Sequence, residues 1–292
     1  MEPHPLRFSE VRVENTNHCG YRCFFCPREQ LTRERGFMSV DDFRIVLDRV
    51  GDHDGLLDLH GFGEPLLDPR LPEKVALAHE RWEAVTTRII STLGAPVKPE
   101  YLARLADSGL RVIEISLYGT DAESYEAVHG VKKFDVMRRN LELLSAARAA
   151  TAPQLSLVVR YFPQHSDVTR PDADAAQAEA FGRWLGELGV ERVIERPLHN
   201  FGGGRSYNDP PDAGVCSVAW GYRRRVLQVT WQLDVIPCCF DYNAEVRLGN
   251  LRRQSLAEIF SGPAYSRFIA AHVTNQLEEY GVCTSCERCY RP

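Results

Sequence analysis

Short apolar runs alternate with longer segments of helical periodicity along the first two thirds of the chain. The short runs predict strands, and they lie at Val11–Asn15, Leu56–His60, Arg88–Leu93, Val112–Tyr118, Leu155–Phe162 and Val190–Pro197. The segments between them predict helices over Val40–Val50, Pro72–Trp82, Lys98–Ser108, Val136–Ala150 and Ala173–Leu188. Six strands that alternate with helices indicate an α/β fold with a parallel sheet. Because about 190 residues are too few for a complete eight-stranded barrel, we expect a partial barrel or an open sheet.

The pattern changes after Pro197. Residues 199–214, HNFGGGRSYNDPPDAG, predict a linker or an ordered loop. The stretch RRVLQVTWQLDVIPCCFD then predicts a β-hairpin that turns near Leu233–Asp234. SLAEIFSGPAYSRFIAAH, residues 255–272, predicts one helix with a break near Gly262–Pro263. We therefore expect a first domain over residues 1–200 and a second over 201–292.

Composition narrows the class of protein. The chain has 292 residues, of which 44% are hydrophobic and 26% charged, as in ordinary globular proteins. No apolar run reaches the roughly 18 residues of a membrane span, and the first residues lack the apolar core of a signal peptide. We expect a cytoplasmic protein with no membrane partner. The formal charge of −5 argues against a nucleic-acid partner and mildly favours a cationic small substrate.

Thiols in the cytoplasm stay reduced. The nine cysteines are therefore interpreted as metal ligands or reactive groups before disulfides. Cys19, Cys23 and Cys26 lie in the stretch CGYRCFFC, just after the first predicted strand. Three thiolates on a [4Fe–4S] cluster leave one iron open to a substrate or cofactor. The alternative is a zinc loop that takes its fourth ligand from elsewhere.

CGYRCFFC resembles the cluster loop of the radical S-adenosylmethionine (SAM) superfamily, including the aromatic Phe25 before the last cysteine. HGFGEPLL, at the end of the second predicted strand, resembles that family's Gly-Gly-Glu motif. The resemblance implies a partial (β/α)6 TIM-like barrel in which SAM chelates the open iron and is cleaved to a 5′-deoxyadenosyl radical. By position, Gly61 and Gly63 would make room for backbone, and Glu64 would help to hold the methionine amino group of SAM.

Two fainter matches follow along the chain. Ser116 ends the fourth predicted strand, where the family often has a polar residue for the ribose or carboxylate of SAM. Arg160, on the fifth, could pair with that carboxylate. Either could instead be a polar group satisfied within the barrel. The weaker candidates for substrate contact are His60, Tyr118, Glu195 and Asn200.

Six further cysteines lie in the C-terminal part of the chain, at Cys216, Cys238, Cys239, Cys283, Cys286 and Cys289. With the context IPCCFDYNAEVRLGNLRRQSLAEIF, they resemble the auxiliary-cluster domain called SPASM or its shortened form, the twitch domain. Six cysteines are too few for the two-cluster form, so the resemblance implies one auxiliary [4Fe–4S] cluster. Its expected ligands are Cys216, Cys238, Cys283 and Cys286, with Cys289 as an alternative ligand. A zinc ribbon built from the same residues is the other interpretation.

Cys239 is adjacent to an expected ligand and faces the other way if the hairpin is regular, because strand neighbours alternate. A free thiol near the substrate would be a good hydrogen-atom donor, since its S–H bond is weak. The alternatives are a small buried hydrophobe and an exchange of roles with Cys238 as the ligand.

The twitch form resembles enzymes that oxidise or epimerise alcohol carbons of aminoglycoside antibiotics. We expect epimerisation of a small substrate, a cationic sugar, with Cys239 as the catalytic hydrogen donor. The resemblance implies SAM, two [4Fe–4S] clusters and an external electron donor such as flavodoxin or ferredoxin. The alternatives are a dehydrogenase that forms a ketone and a maturase of ribosomally made peptides. The short stretch before the first strand counts against a maturase with a leader-binding domain. A zinc-binding interaction module is the non-enzymatic alternative.

Overall fold

A computed structural model describes residues 7–161, 175–190, 192–195, 198–206, 215–216, 225–287 and 289–290. In these ranges the strands are β1 (Glu10–Val13), β2 (Leu56–Asp58), β3 (Thr86–Ser91), β4 (Val112–Ser116), β5 (Ser156–Tyr161), β6 (Arg192–Glu195), β7 (Val215–Cys216), β8 (Val226–Val229), β9 (Asp234–Ile236), β10 (Gly249–Asn250) and β11 (Cys289–Tyr290). The helices are α1 (Val40–Val50), α2 (Leu71–Arg81), α3 (Pro99–Asp107), α4 (Ala122–His129), α5 (Phe134–Thr151), α6 (Ala175–Glu187), α7 (Leu256–Ser261), α8 (Pro263–Thr274) and α9 (Gly281–Thr284).

Strands β1 to β6 lie side by side in chain order and are all parallel, which confirms the predicted α/β fold. The predicted helix α1 has the observed bounds, and the other predicted helices agree to within about two residues at most ends. The sequence pattern predicted no helix between β4 and α5, and this prediction is wrong. There α4 begins at a capping box formed by Asp121 and Ser124, and it ends at Gly130, which has a φ of 66°.

The two faces of this sheet differ sharply in chemistry. One face is apolar and packs into the main core beneath the helices, through residues such as Val11, Leu57, Ile89, Ile113 and Leu157, all 0% exposed. The other face of the same strands is charged, with Arg12, Asp58, Arg88, Glu114 and Arg160. Parallel strands covered on both sides are usually apolar on both faces. The charged inner face of this sheet is an exception to that rule.

The C-terminal hairpin extends the same sheet. Strand β8 is parallel to β1 on the side away from β2, with Val11 opposite Leu227. Strand β9 is antiparallel to β8, and β10 is antiparallel to β9. The hairpin turns at residues 230–233, slightly before the predicted position, and Leu233 has a φ of 69° there. The sheet thus contains nine of the described strands, in the order β10-β9-β8-β1-β2-β3-β4-β5-β6.

The predicted break in the last long helix is confirmed: α7 ends at Ser261 and α8 begins at Pro263, with Gly262 between them. Part of the predicted linker, residues 207–214, lies outside the described residues. The division at residue 200 stays a prediction, and one sheet crosses it. None of the helices in the described ranges has both the length and the apolar character needed to cross a lipid bilayer.

Candidate active site

The three N-terminal cysteines share one loop at the carboxyl edge of the sheet, between β1 and α1. None of the eight cysteines with a described side chain forms a disulfide. The backbone N–H of Cys26 donates to the carbonyl of Cys23 at 3.0 Å. Burial, followed by repulsion from Cys19, raises the pKa of the Cys26 thiol to about 11. Clustered thiols that resist ionisation fit a cationic iron cluster, because bound metal reverses this effect and holds thiolates.

Two arginines hold this loop in place. Arg28 Nη1 donates to the carbonyls of Asn17, at 2.8 Å, and Phe62, at 3.1 Å. Arg205 approaches from the far side of the chain: its Nε donates to the Phe24 carbonyl at 2.9 Å, and its Nη2 donates to the Cys26 carbonyl. Sequence reasoning missed both residues. Arg28 had a signal in its position two residues after the last cysteine, but Arg205 had none.

The glycines after β2 allow a second loop to pack against the cysteine loop. A Cβ atom on Gly63 would lie 2.3 Å from the Thr16 carbonyl oxygen and 2.8 Å from that of His18. The next amide, that of Glu64, donates to the same His18 carbonyl at 2.8 Å. A Cβ on Gly61 would lie 2.4 Å from a side-chain carbon of Glu14. Glycine is required here for contact between two loops of the protein.

The buried Glu64 carboxylate binds the turn that follows β3. It accepts hydrogen bonds from Ser91 Oγ at 2.5 Å, from the Thr92 amide at 2.8 Å and from Thr92 Oγ1 at 2.7 Å. It also accepts from the Leu66 amide at 3.1 Å. Burial, followed by the negative charge of Glu64, raises the pKa of Cys19. Glu64 therefore lies at the cluster loop, while its contact with the methionine amino group stays a prediction.

The other residues expected to contact SAM lie at the ends of β4 and β5. Phe25 packs edge-on against Tyr118, with ring centroids 5.0 Å apart. Ser116 and Arg160 are direct partners in the β4–β5 register. Arg160 Nε lies 3.4 Å from Glu114 Oε2. Their roles toward SAM stay predictions.

Of the weaker candidates, His60 and Asn200 have clear partners within the protein. His60 Nδ1 lies 2.9 Å from Asp58 Oδ1. Asn200 donates from Nδ2 to the Ser285 carbonyl at 2.6 Å and accepts the Gly202 amide at 3.1 Å. The side chain of Glu195 lies outside the described residues.

Sequence reasoning also missed His129, the last residue of α4. Its side chain is fully buried, and Nδ1 lies 3.4 Å from Cys23 Sγ. The ring packs against Tyr125 and Tyr118, with centroid distances of 4.1 Å and 5.4 Å. Burial lowers the pKa of His129 to about 3, so its imidazole is neutral at physiological pH. No motif marked this residue, because it reaches the loop from over 100 positions away in the chain.

Five C-terminal cysteines are near enough to one another to affect the pKa of Cys238 or Cys283. Burial raises the pKa of Cys238, and Cys239, Cys216 and Cys286 raise it further. Burial likewise raises the pKa of Cys283, with further increases from Cys216 and Cys286. Cys238 Sγ accepts the Phe240 amide at 3.4 Å, as a thiolate ligand would. The expected ligand set is thus brought together, although ligation itself stays a prediction.

No group of three or more His, Cys, Asp or Glu residues within the described ranges is placed to hold one metal ion. One zinc ion at about 2.3 Å from each sulfur would draw its ligands close together, whereas four irons keep them further apart. The backbone of Cys289 lies opposite Cys216 in the β7–β11 pair, and its side chain lies outside the described residues.

The segment after β6 is fastened to the C-terminal cysteine segment. His199 Nδ1 lies 2.6 Å from Glu287 Oε1, and the Asn200 amide donates to Glu287 Oε2 at 3.0 Å. The His199 ring also packs near Phe240, with centroids 5.3 Å apart. The end of the barrel and the auxiliary cysteines are therefore joined directly.

Cys238 and Cys239 both lie beyond β9, which ends at Ile236, so the alternation of strand neighbours expected from the sequence does not apply to them. Burial would lower the pKa of the Arg12 guanidinium, but attraction to Cys239, Asp58 and Glu10 outweighs burial and raises it. Arg12 lies on the charged inner face of β1, where its Nε is 3.5 Å from Asp58 Oδ2. Cys239 thus acts both on Arg12 in the barrel interior and on the adjacent Cys238.

Comparison with known proteins agrees with this division. The model of the radical SAM superfamily matches residues 13–153, and that of SPASM, an iron-sulfur cluster-binding domain, matches residues 216–290. The mycofactocin maturase MftC of Mycobacterium ulcerans is 32% identical over 172 residues, which are 59% of this chain and 44% of MftC. The PqqA peptide cyclase of Xanthomonas euvesicatoria is 26% identical over 303 residues, covering 92% of this chain and 77% of the cyclase. This chain thus spans less than half the length of MftC.

Solved structures show the same fold. BtrN in complex with AdoMet and 2-DOIA superposes with a TM-score of 0.63 at 19% identity, covering 97% of this chain and 94% of BtrN. Streptococcus suis SuiB bound to its precursor peptide SuiA superposes with a TM-score of 0.65 at 11% identity, covering 98% of this chain and 75% of SuiB.

The two matched domains imply SAM and two [4Fe–4S] clusters, one that binds SAM and one auxiliary. The donor sets fit both groups, since two separate sets of thiols, half-buried except for the buried Cys283, lie at the cysteine loop and at the C-terminal segment. A zinc-binding interaction module is not supported by these matches. The chain thus contains a radical SAM domain over residues 13–153 and a SPASM domain over residues 216–290, and it is a radical SAM enzyme with a SPASM domain.

Proposed function

We propose that this enzyme epimerises a carbinol carbon of a small natural product, an aminoglycoside or related sugar, with Cys239 as the hydrogen-atom donor. The proposal is supported by the electrostatic attraction between Cys239 and Arg12, a residue on the inner face of the barrel, which raises the pKa of that guanidinium. Cys239 lies in the turn just after β9, which ends at Ile236. From this turn its thiol would reach a substrate in the barrel.

The charged inner face supports a substrate rich in hydroxyl and amino groups. Arg88 Nη1 lies 2.8 Å from Glu114 Oε1, and its Nη2 lies 2.5 Å from Asp58 Oδ2. Within the described part of the chain, buried Arg88 Nε and Gln228 Oε1 have no hydrogen-bond partner. Buried polar atoms normally have such partners. A polyhydroxylated ligand would supply donors and acceptors to this surface, whose carboxylates at Asp58 and Glu114 are already paired with Arg88.

The cysteine loop would hold the SAM-binding cluster, which, when reduced by one electron from the external donor, would supply the 5′-deoxyadenosyl radical that takes a hydrogen atom from the carbinol carbon. Cys239 would then give the hydrogen atom of its S–H bond to the opposite face of that carbon, which forms the new C–H bond. The sulfur radical left on Cys239 would return to the thiol by gaining one proton from solvent and one electron that the external donor supplies by way of the auxiliary centre. Because Cys238 is the adjacent residue and an expected ligand, the electron would have only a short distance to travel from the auxiliary centre to Cys239.

Two other reactions have support of their own. A dehydrogenase would use the same first step, and the carbinol carbon would then lose one electron and one proton to become a ketone without any hydrogen from Cys239. A maturase of ribosomally made peptides is favoured by the identity to MftC and to the PqqA peptide cyclase.

The deciding experiment uses anaerobically reconstituted enzyme and a panel of aminoglycosides in heavy water. Wild-type enzyme is expected to give a product of unchanged composition that carries one deuterium from the exchanged Cys239 thiol. Cys239→Ser is expected to keep both clusters and to form 5′-deoxyadenosine while it loses the deuterated product. A ketone without deuterium would identify a dehydrogenase. Activity only on precursor peptides would identify a maturase.

Iron analysis provides the controls. Replacement of Cys19, Cys23 and Cys26 by alanine should stop 5′-deoxyadenosine formation and remove about four irons, leaving the auxiliary cluster. Loss of about four irons in the Cys239 variant would instead make Cys239 the auxiliary ligand and overturn its role as hydrogen donor.

A further inference from the structure

His129 is the buried side chain most directly in contact with the cysteine loop. Helix α4 ends at this residue, and the carbonyl of His129 accepts the amide of Arg22 at 3.1 Å, so the helix end and the loop are joined by backbone as well. The ring is enclosed by Tyr21, Tyr118 and Tyr125. Its orientation is therefore fixed by packing, with Nδ1 toward Cys23 Sγ at 3.4 Å.

The protonation of Cys23 Sγ and His129 Nδ1 decides which atom donates the hydrogen bond between them. A thiolate that binds iron has no proton and can only accept a hydrogen bond. The contact between His129 Nδ1 and that sulfur is therefore favourable only when Nδ1 carries a proton and donates it. Nε2 has no hydrogen-bond partner within the described residues, so no competing contact there favours the opposite tautomer.

We infer that His129 donates a hydrogen bond from Nδ1–H to the Cys23 thiolate and thereby makes the SAM-binding cluster easier to reduce. Hydrogen bonds to ligand sulfurs are among the factors that set the potential of iron-sulfur clusters. Reduction brings one electron from an external donor and adds negative charge to the cluster and its sulfurs. An N–H dipole pointed at a sulfur stabilises that charge, and no bond to His129 is formed or broken.

His129 is thus a positioning residue that acts through Cys23. Its low-dielectric surroundings strengthen the effect, since a buried hydrogen bond to a charged acceptor is stronger than one in water. The inference rests on Cys23 being a ligand of the SAM-binding cluster, and it holds whether the enzyme is an epimerase, a dehydrogenase or a maturase.

The test is an anaerobic redox titration of the full chain followed by electron paramagnetic resonance, with the SAM-binding cluster identified by the change of its signal when SAM is added. His129→Phe keeps an aromatic ring but has no N–H, so the midpoint potential of that cluster should become more negative. His129→Asn places an amide N–H close to the Nδ1 position and should restore much of the loss. Tyr125→Phe, which removes a buried hydroxyl that contacts Tyr21 at 2.8 Å in the same aromatic group, should leave the potential unchanged.

A second measurement needs no substitution. Wild-type protein labelled with 15N-histidine should show a nitrogen coupling to the reduced SAM-binding cluster, together with an exchangeable proton. Absence of that coupling, or an unchanged potential in His129→Phe with full iron content, overturns the inference. If His129→Phe loses the cluster, the coupling in the wild type alone decides the question.

Discussion

A methyl group at position 63 should separate the two loops that form the SAM-binding region. In Gly63→Ala the added carbon would lie 2.3 Å from the Thr16 carbonyl oxygen and 2.8 Å from that of His18. Both contacts are with backbone, so rotation of a side chain cannot relieve them. The loops must move apart, and the 2.8 Å hydrogen bond from the Glu64 amide to the His18 carbonyl is stretched or lost.

The expected cost has two parts. Overpacking of this kind costs about 1–3 kcal/mol, and a lost hydrogen bond costs about 0.5–1.5 kcal/mol. Together they favour local opening of the loop by about 1.5–4.5 kcal/mol, or roughly 12- to 1,600-fold at about 1.4 kcal/mol per factor of ten.

Hydrogen-deuterium exchange with mass spectrometry measures this opening directly. Peptides that cover residues 14–26 and 61–68 should exchange faster by the factor given above, while peptides from α8 keep their wild-type rates. Iron content should fall toward about four per chain, because only the auxiliary cluster stays in place.

Gly182→Ala is the matched control. Gly182 lies inside α6, and a Cβ there would have no heavy atom within 4 Å. Alanine at an open helical position should stabilise the chain by about 0.5–1 kcal/mol and leave the iron content unchanged. Wild-type exchange and full iron in Gly63→Ala would refute the claim that glycine is needed for loop contact.

Two further substitutions test the supports of the fold. Arg205→Met removes the donors to two carbonyls of the cysteine loop and an ion pair with Glu29 that is 2.6 Å long. Iron analysis should show loss of the SAM-binding cluster, and retention of about eight irons would contradict this. Ser255→Ala removes the capping box with Glu258 at the start of α7; calorimetry should show a melting temperature lower by about 2 °C, for a cost of about 1 kcal/mol, with iron content unchanged.

The periodicity of the sequence predicted the barrel well because one face of each strand is a regular apolar row, as at Val11 and Val13, both 0% exposed. It gave no sign of α4, since that helix is fixed by the reciprocal bonds of Asp121 and Ser124 rather than by a strong apolar stripe. The hairpin was predictable as two strands, but its pairing with β1 was not. A strand pattern specifies which side chains are buried, but it does not specify which other strand will pair with it.

In the candidate site, too, contacts between distant parts of the chain could not be predicted from the sequence. The spacing of Cys19, Cys23 and Cys26 is local and was visible in the sequence. Arg205 meets the Phe24 carbonyl across 181 positions of the chain, and His129 meets Cys23 across 106. Such contacts depend on how loops and helices pack, and no short motif encodes them.

The pairing of β1 with β8 also determines when the edge of β1 can be covered during synthesis. Glu10 has Val226 as its partner, 216 residues later in the chain. At about 5–20 residues per second, β1 leaves the ribosome roughly 10–40 s before β8 has been made. During that interval one edge of the nascent sheet has unpaired amides and carbonyls, which invite pairing with another chain. The segment that carries the auxiliary cysteines therefore also covers the edge of β1 that would otherwise invite aggregation.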